Sequence, residues 1–502
     1  MKKRFMIFFN AVALCCAVAM ASITLPADVD NDDIVSKDDA ALIYSFICGT
    51  ADESITANMV DVNGDGKVNT ADVVEVYLKL GEKATDIPYL TFSADDMQTM
   101  TIKIKGTYTL DESIQYSVND GEWATLTAGT PISFGGDNGS LRMRGKSASG
   151  MATDFTKYAQ ISFGSKNVSV SCSGDIRTLV DFANYTSADT DEARFCYLFN
   201  GCTNLTSAPE LPANKLAERC YYGMFYGCTS LATPPTLTAS SLKGSCYYSM
   251  FYGCTALTSA PALPADSLAD MCYYNMFYGC TSLTEATELP ATTLAKSCYA
   301  NMFYGCTALT NAPALPAETL EANCYEKMFY GCTALTATPE LPATTLAEKC
   351  YYYMFRDCTA LTTATPLPAT TSAKSCYEYM FYGCSGLTTS PALSATTLAE
   401  RCCYGMFYNC TGLTTASPLP ATTLAEKCYY YMFRGCTNLS NVTMLATDIS
   451  ASGCLSNWLD RVATTGTFTK SSEIDETAFS RDKNGIPSGW TIVNYSTTEH
   501  LN

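Results

Sequence analysis

The amino-acid sequence predicts a multidomain protein whose largest part is a repeat solenoid, and three observations support this prediction. A 26-residue unit recurs with almost no change of length between residues 194 and 461. Two cysteine positions keep that spacing through the whole stretch. Each unit is too short to bury its own apolar residues, so neighbouring units must stack to form a core.

The two cysteine rows define the register of the repeats. The first row contains Cys220, Cys246, Cys272, Cys298, Cys324, Cys350, Cys376, Cys402, Cys428 and Cys454. The second row contains Cys202, Cys228, Cys254, Cys280, Cys306, Cys332, Cys358, Cys384, Cys410 and Cys436. Stacking in this register would place Leu257 over Leu283 and Phe277 over Phe303, so identical residues would form the core.

Each repeat divides into a predicted strand and a predicted helical segment. The strand is the run from Thr255 to Pro264, where apolar and polar residues alternate and prolines keep the strand very short. In the helical segment, Leu268, Cys272 and Met276 are four residues apart, which predicts one or two helical turns. With parallel strands about 4.8 Å apart, ten repeats would form a rod or arc about 50 Å long.

The repeat also resembles a known family. Phe225, Gly227, Cys228, Thr229 and Leu231 follow the pattern Phe-x-Gly-Cys-Thr-x-Leu, which returns every 26 residues. In this spacing the chain resembles the BspA-like leucine-rich repeats of bacterial surface proteins, with Met in place of the usual Ala before Phe. The resemblance implies a leucine-rich-repeat fold and a role in surface recognition or adhesion, and it identifies no ligand.

Two acidic loops near the N-terminus predict calcium sites. Ca²⁺ prefers six to eight oxygen ligands, and a twelve-residue loop with oxygens at positions 1, 3, 5, 7 and 12 wraps them around one point. The residues predicted to bind Ca²⁺ are Asp28, Asp30, Asp32, Ile34 and Asp39 in the first loop and Asp61, Asn63, Asp65, Lys67 and Asp72 in the second. Ile34 and Lys67 would contribute their carbonyl oxygens. A helical pattern follows each loop, at residues 40–46 and 73–80.

Paired loops with Asp at position 12 and one helix each resemble a type I dockerin module. The resemblance implies two Ca²⁺ ions and a cohesin-like partner. The positions that help to select the partner in dockerins are Lys37-Asp38 and Thr70-Ala71, and the two pairs differ from each other. The alternative is that calcium only stabilises a small domain with too little core to fold alone.

The remaining segments differ in pattern from the repeats. Alternating runs separated by Asn119-Asp120-Gly121 and a glycine-rich turn predict an antiparallel β-sandwich-like domain. For Trp123 and Tyr116 in that domain, packing is favoured over glycan contact. We expect Trp490 to cover the last turn of the solenoid. The predicted divisions are a signal peptide (1–21), dockerin-like loops (22–86), the β-sandwich-like domain (87–172), an N-terminal junction (173–193), the repeats (194–461) and a C-terminal cap (462–502).

Composition indicates an exported protein. Residues 1–21 have Lys2, Lys3 and Arg4 followed by an apolar run and an Ala-Met-Ala site, as in a signal peptide. The chain is therefore expected to be secreted or to lie at the cell surface or outer membrane. A lipid anchor at Cys15 or Cys16 is disfavoured. The net charge of −18 argues against nucleic acid and anionic lipid as partners, and no other stretch is apolar enough to span a membrane.

The cysteine rows leave two interpretations open. Exported proteins often contain disulfides, and equivalent cysteines in adjacent repeats would lie close together. The family resemblance instead implies that Cys228 faces buried backbone groups and that Cys220 packs like an aliphatic residue, so buried thiols are favoured. Neither row has the CxxC spacing or histidine partners of a zinc site. Cys402-Cys403 is one place where the sequence allows an extra thiol to point outward.

A tyrosine row is the main candidate ligand-binding site. It contains Tyr226, Tyr252, Tyr278, Tyr304, Tyr330, Tyr382 and Tyr408. Arg356 and Arg434 replace Tyr in this row, which is unusual for a core position. The row either binds a ligand or is a convex layer of packed rings. The strand face, with the variable residues Thr258, Glu285, Asn311 and Ala337, is the other candidate.

The sequence argues against catalysis. Its one histidine is His500, the third-last residue, and nucleophile, metalloprotease and phosphate-loop motifs are absent. We therefore expect a non-catalytic surface protein whose repeats bind a protein or glycan. The alternative is an accessory component of a polysaccharide-degrading assembly, docked through a cohesin–dockerin-type interaction.

Overall fold

A computed structural model describes residues 29, 37–51, 55–62, 67–70, 72, 73, 76, 87–188, 190 and 192–496. The chain divides into two compact units, Met1–Pro88 and Tyr89–Asn502. The predicted signal peptide lies outside the described residues. No helix in the described ranges is long and apolar enough to cross a membrane.

The first unit contains a small apolar core. Helix α1 spans Lys37–Ile47 and helix α2 spans Ala57–Val60. The buried residues are Val29, Ala40, Ile43, Val60, Val73 and Val76. Ala40, Val60 and Val73 directly flank the two predicted loops, whereas Ile43 and Val76 each lie four residues after a loop. The core therefore forms mainly where the loops join the helical segments that follow them.

Two antiparallel sheets begin the second unit. Their strands are β1 (Leu90–Ser93), β2 (Gln98–Lys105), β3 (Gln115–Val118), β4 (Ala124–Thr125), β5 (Ile132–Phe134), β6 (Leu141–Arg144), β7 (Ala152–Asp154), β8 (Lys157–Phe163) and β9 (Ser171–Ser173). One sheet has the order β4-β3-β6-β1-β9 and the other β5-β2-β8-β7. Short 3₁₀ helices lie at Gly136–Asn138 and Ile176–Leu179.

The hairpin between β3 and β4 follows the predicted turn chemistry. Asn119 and Asp120 have φ of 51° and 57°, and Gly121 N–H donates to the Val118 carbonyl at 3.0 Å. Two consecutive left-handed residues are the type I′ geometry that suits the twist of paired strands. Asn and Asp tolerate this conformation better than most residues.

The sheets and the first repeats share one hydrophobic core. The Ile161 N–H of β8 donates to the Leu198 carbonyl at 2.7 Å, and the Cys202 thiol lies 3.3 Å from the Ile161 carbonyl oxygen. The Phe92 and Phe199 rings are 6.2 Å apart. The segment predicted as a separate sandwich-like domain therefore covers the apolar N-terminal end of the repeats.

Consecutive repeats pair through parallel bridges between equivalent residues. Leu211 pairs with Leu237, and Leu367 pairs with Leu393, in each case 26 residues apart. These contacts are mostly single bridges rather than extended strands. The prolines at each predicted strand lack the N–H that a continuous ladder needs, which explains the short pairing.

The predicted helical turns are wrong. In the repeat that begins at Cys272, the Met276 N–H donates to the Tyr273 carbonyl at 3.2 Å, whereas the Phe277 N–H donates to Met302 of the next repeat at 2.9 Å. Along this segment, one N–H group donates to a carbonyl of its own repeat and the following N–H group donates to a carbonyl of the next repeat. The hydrogen bonds from residue i to residue i−4 that define an α-helix therefore cannot form. Asn275 at φ 55° is left-handed, and the equivalent residue of every repeat from Tyr197 to Asn457 is left-handed too. The segment is a run of consecutive turns.

The C-terminal part of the chain forms a three-stranded parallel sheet. Its strands are β10 (Asn441–Met444), β11 (Gly466–Lys470) and β12 (Trp490–Asn494). A 3₁₀ helix spans Glu476–Ala478. Trp490 is 2% exposed, and its Nε1–H donates to the Ala463 carbonyl at 2.7 Å. The tryptophan thus closes the core at this end.

Candidate functional site: the outer tyrosine rows

The run of turns places some aromatic side chains of each repeat in the core and others at the surface. In the repeat that begins at Cys272, Tyr273 and Phe277 are buried, whereas Tyr274 and Tyr278 are half-buried. The same alternation holds in neighbouring repeats, so each position forms a row along the repeats. Three tyrosine rows result, of which one is internal.

The predicted tyrosine row, called the Tyr226 row, is a continuous stack. Neighbouring rings from Tyr226 to Tyr330 have centroids 4.3 to 4.5 Å apart and planes within 6 to 10°. The Arg356 guanidinium lies 5.0 Å from the Tyr330 centroid and 4.3 Å from the Tyr382 centroid. The rings pack on each other and stay half-buried, so their faces are covered while their edges and hydroxyl groups reach solvent.

The hydroxyl groups of Tyr226, Tyr252 and Tyr278 stay protonated at neutral pH. Burial, followed by the influence of the neighbouring tyrosine, raises the pKa of Tyr226, Tyr252 and Tyr278. Each hydroxyl group can donate one hydrogen bond and can also accept hydrogen bonds. The row therefore presents neutral hydrogen-bonding groups about one repeat apart.

A second outer row was not predicted. The Tyr222, Tyr248 and Tyr274 rings stack at 4.5 and 4.8 Å, with planes within 7°. We call this the Tyr222 row; tyrosine returns at the same position as Tyr352, Tyr404 and Tyr430. Its signal in the sequence is the second tyrosine of the Cys-Tyr-Tyr triplets, but Ala300, Glu326 and Glu378 interrupt the pattern.

Further tyrosines lie between the two outer rows. The Tyr379 ring is 5.8 Å from Tyr382 of the Tyr226 row and 5.3 Å from Tyr404 of the Tyr222 row. Tyr353 stacks on Tyr379 at 4.8 Å. Tyr431 occupies the equivalent place two repeats later. In this half of the repeats, the outer rows form one aromatic surface.

The aromatic surface continues onto the N-terminal sheets. The Tyr158 ring of β8 lies 5.1 Å from Tyr197, and the Phe155 ring lies 5.5 Å from Tyr222. Phe155 is 40% exposed. A ligand lying along the tyrosine rows would therefore reach both the repeats and the loop after β7.

The third tyrosine row belongs to the core. Its members are Tyr221, Tyr247, Tyr273, Tyr299, Tyr325, Tyr351, Tyr377 and Tyr429. From Tyr221 to Tyr377, neighbouring ring centroids are 5.7 to 5.9 Å apart. Burial raises the pKa of Tyr273 well above its ordinary value. Sequence pattern alone did not separate these tyrosines from the exposed ones, since the hydroxyl group is compatible with either environment.

The cysteines described in the structure are free thiols, and those of both rows are buried. Each thiol from Cys228 to Cys436 in the second row lies 2.9 to 3.2 Å from the carbonyl oxygen of the Phe found 29 residues earlier. Burial raises the pKa of Cys202 to about 12. The prediction for Cys403 is wrong, because its side chain is 1% exposed and takes a tyrosine position in the core.

The strand face is exposed but less distinctive. Thr258, Glu285, Asn311 and Ala337 are exposed, as the sequence predicted. Several threonine hydroxyl groups on the strand face donate hydrogen bonds to backbone carbonyls of the preceding repeat. The Thr284 hydroxyl, for example, donates to the Thr258 carbonyl at 3.2 Å. The hydroxyl groups that make such bonds stabilise the stacking of repeats and are less available to a ligand.

Four of the ten predicted calcium ligands are described. Asp39 and Asp72, at position 12 of their loops, are fully buried. Asp39 Oδ1 accepts from the Val29 N–H at 2.5 Å, and Asp72 Oδ2 accepts from the Asn69 N–H at 2.8 Å. Asp61 is half-buried and Lys67 is exposed. The others, namely Asp28, Asp30, Asp32, Ile34, Asn63 and Asp65, lie outside the described residues.

The described ligands suit a hard cation. Burying an ionised carboxylate is costly unless it is paired or bound to a metal. The Asp39 and Asp72 carboxylates accept hydrogen bonds from the backbone N–H groups of Val29 and Asn69 and supply oxygen atoms, the ligand type that Ca²⁺ prefers. Within the described ranges alone, no group of three or more His, Cys, Asp or Glu side chains forms a metal cluster.

Trp123 and Tyr116 pack against their neighbours. The Arg144 guanidinium lies 4.2 Å from the Trp123 ring centroid, and the Tyr89 ring makes an edge contact with Trp123 at 5.0 Å. Tyr116 is partly buried against the hydrophobic core. The packing interpretation fits these contacts, since Arg144 covers one face of the indole ring.

Comparisons with known proteins identify two families. Residues 26–80 match the Dockerin type I domain family. The repeats match the BspA type Leucine rich repeat region family in 6 copies, over residues 195–310, 247–388, 296–429 and 348–485. A leucine-rich repeat protein from Bacteroides ovatus, solved by crystallography, is similar with 17% identity and a TM-score of 0.30, covering 59% of this chain and 86% of that chain. No curated protein matches the chain significantly.

Proposed function

The chain belongs to the BspA-type leucine-rich-repeat family over residues 195–485, and we propose that it is an exported, non-catalytic recognition protein. Its solenoid of repeats binds a surface protein or a glycan outside the cell. Residues 1–21 act as the signal peptide, and the mature chain is displayed at the cell surface or secreted.

The Tyr226 row is the observation that supports this proposal most strongly. Seven tyrosines and two arginines hold one position over nine repeats, with their polar ends at the surface. A core position would not accept Tyr and Arg alternately, whereas a binding surface uses both residue types frequently. Identical groups one repeat apart let an extended partner make many weak contacts at once, and such contacts add along the row.

Calcium supports the N-terminal module in this proposal. Asp28, Asp30, Asp32, Ile34 and Asp39 hold one Ca²⁺, and Asp61, Asn63, Asp65, Lys67 and Asp72 hold a second. The ion neutralises the clustered carboxylates and fixes the loops against the small apolar core.

The match of residues 26–80 to dockerin modules favours a second function. In it, the module docks the chain to a cohesin-like partner, and the protein is an accessory component of a polysaccharide-degrading assembly. Lys37, Asp38 and Thr70, three of the four residues at the partner-selecting positions, are exposed. The two functions are compatible, because one concerns the repeats and the other the N-terminal module.

Binding of residues 22–502 to immobilised extracellular-matrix proteins, mucins and plant or bacterial glycans tests the main function. We expect the double substitution Tyr278→Ala and Tyr304→Ala to weaken capture of the bound partner about tenfold or more, as for interface tyrosines. The matched control is Thr258→Ala with Asn311→Ala on the strand face, which should bind as the unchanged protein does. Equal binding by both double variants would contradict the assignment to the Tyr226 row.

Capture by a type I cohesin tests the second function. We expect residues 22–502 to bind the cohesin in calcium and to lose binding after EDTA treatment or the Asp72→Ala substitution. Calcium-independent capture, or no capture at all, would reject docking through this module.

A further inference from the structure

The outer edge of strand β12 has backbone groups with no partner in the part of the chain that the structure describes. β12 is the last strand of the parallel C-terminal sheet and pairs with β11 alone. The Tyr495 N–H donates to the Lys470 carbonyl of β11 at 2.7 Å. Because successive residues of a parallel strand direct their backbone groups to opposite sides, those of Ile492 and Asn494 point away from β11. No hydrogen bond of the described chain uses these N–H and C=O groups.

An open edge of this kind can receive one more strand. An extended peptide that pairs with such an edge gains main-chain hydrogen bonds, and its side chains contact the surface on either side. Beside this edge, Thr491, Val493 and Asn494 are exposed. Val493 exposes 38% of its surface, which is high for a large apolar residue in a strand. The outward backbone groups of β12 would fix the register of the added strand.

A cavity of about 500 Å³ opens where β12 begins. Its lining includes Trp490 and Ile492 of the strand, Phe479, and the two charged residues Glu476 and Arg481. Phe479 and Trp490 are almost fully buried and form an apolar floor, whereas Glu476 and Arg481 are exposed. The volume lies in the range of ligand sites in proteins. The cavity can therefore hold the end of a peptide that pairs with the edge.

Arg481 is positioned by the backbone at this end of the edge. Its Nη2 donates to the Trp490 carbonyl at 2.8 Å and to the Ser488 carbonyl at 3.4 Å. Both acceptors are neutral, so these bonds orient the guanidinium without neutralising its charge. A guanidinium carries five N–H groups, and those on Nε and Nη1 remain available to a carboxylate.

The position of Arg481 selects the direction of the added strand. A strand that runs antiparallel to β12 ends beside Trp490, where β12 begins, so its C-terminal carboxylate would reach Arg481. A parallel strand would instead place its N-terminal ammonium group there, and Arg481 would repel it. Glu476, the other charged residue of the cavity, favours a basic side chain near the same end of the peptide.

We propose that the outer edge of β12 binds an extended peptide as a fourth, antiparallel strand, with its C-terminal carboxylate on Arg481 and a basic side chain beside Glu476. The partner is a protein with an accessible C-terminus that has Lys or Arg among its last residues. This surface shares no residue with the Tyr226 row, so the inference goes beyond the proposed function and does not depend on it.

Synthetic peptides test the inference directly. Residues 22–502 are screened against an array of hexapeptides that have a free C-terminus and every combination of residues at the last three positions. We expect the binding peptides to have Lys or Arg among these positions. In fluorescence polarisation, amidation of the C-terminus of the tightest binder should weaken its affinity about tenfold or more, because the carboxylate that Arg481 binds is lost.

N-methylation of the same peptide tests strand pairing and leaves the protein unchanged. Methyl groups on the alternate residues whose N–H groups face β12 should abolish binding, because each removes a donor from the edge. Methyl groups on the intervening residues should change the affinity by less than about threefold.

Substitutions in the cavity test the two charged residues. Arg481→Gln should weaken peptide binding about tenfold or more. The matched control is Arg461→Gln, at an arginine whose side chain is 73% exposed and lies outside the cavity lining, and it should bind as the unchanged protein does. Glu476→Gln should remove the preference for Lys or Arg. An unchanged urea midpoint shows that each variant is folded.

Several results would overturn the inference. They are a lack of binding by every peptide of the array, equal affinities of the free and amidated peptides, and N-methyl effects that do not alternate. Self-association of residues 22–502 in light scattering without peptide binding would assign the edge to a second copy instead. The double variant Tyr278→Ala with Tyr304→Ala should bind the peptide normally, and a loss of binding there would contradict the assignment to β12.

Discussion

The second cysteine row shows how single atoms link neighbouring repeats. The Cys254 thiol lies 3.2 Å from the Phe225 carbonyl oxygen of the preceding repeat. A thiol is small enough to pack as an apolar group and still offers a weak donor to a buried carbonyl. Serine would keep the hydrogen bond but bury a more polar group, and alanine would leave the carbonyl without this donor.

Buried thiols predict a loss of stability at alkaline pH. Burial raises the pKa of Cys202, Cys220 and Cys298 to about 12, whereas an unfolded cysteine titrates at about 8.5. Above the lower value the unfolded chain releases protons that the folded chain retains, so unfolding becomes easier as pH rises toward 12. The urea midpoint, measured under reducing conditions from pH 7 to 11, should be constant to about pH 8 and then fall. A urea midpoint that stays constant, or that increases, as the pH is raised beyond 9 would contradict burial of these groups as thiols.

Because the hydroxyl group of Tyr273 is buried without a hydrogen-bond partner among the described residues, we expect its removal to stabilise the protein. Tyr273→Phe removes this uncompensated polar group and should raise the free energy of unfolding by about 1 kcal/mol. Tyr278→Phe, at a hydroxyl that reaches solvent, is the control and should change it by less than about 0.5 kcal/mol. Destabilisation by Tyr273→Phe would show that its hydroxyl group is paired.

The run of turns is the element that sequence reasoning misjudged. The four-residue spacing of Cys272 and Met276 predicts a helix, and both residues are indeed buried. The same spacing arises here because a left-handed residue returns every four positions, at Met271, Asn275 and Gly279. Glycine at one of these positions, and more weakly asparagine at another, favours a left-handed backbone, but Met271 gives no such signal in the sequence.

Other elements were predictable because their chemistry is local. The repeat length and the residues around Phe225 and Cys228 identified the leucine-rich repeats, which the family match confirms. The dockerin resemblance is confirmed in the same way. The Tyr226 row was predicted as a row, but its face-to-face stacking depends on contacts between repeats.

The left-handed position at Gly279 predicts a graded response to substitution. Its φ is 70°, and an added Cβ would meet nothing within 4 Å, so backbone strain alone should decide the effect. Gly279→Ala should lower the free energy of unfolding by about 1 to 2 kcal/mol. Gly279→Asn should cost less, because Asn409 occupies the equivalent position at φ 59°. Urea unfolding of both variants tests this order. A larger loss of stability for Gly279→Asn than for Gly279→Ala would contradict it.

At the scale of the molecule, the shared core predicts where the chain can be cut. Phe199 packs against Phe92 of β1, and the Leu198 carbonyl accepts a hydrogen bond from the Ile161 N–H of β8. A chain of residues 89–502 should fold cooperatively, whereas residues 194–502 should aggregate or bind hydrophobic dye because the cut exposes this core. Circular dichroism and size-exclusion chromatography of both chains test the prediction. A stable, monomeric 194–502 chain would show that the repeats fold without the sheets.

The whole chain combines a compact N-terminal module with a long repetitive surface. Its net charge of −18 is spread over a sequence with 31 basic and 49 acidic residues, while the Tyr226 row presents mostly neutral phenol groups. On the proposed function, hydrogen bonds from many repeats should therefore contribute more to binding at that row than electrostatic attraction does. Affinity should rise with the number of repeats that a partner contacts.

The affinity of the captured partner for a hydroxyl-free Tyr226 row tests the account most directly. Tyr278→Phe, Tyr304→Phe and Tyr330→Phe, combined in residues 22–502, keep the stacked rings and remove three adjacent hydroxyl groups. We predict an affinity at least about tenfold weaker, since each lost hydrogen bond contributes about 0.5–1.5 kcal/mol, with an unchanged urea midpoint. An affinity equal to that of the unchanged protein would contradict recognition by the hydroxyl groups of the Tyr226 row.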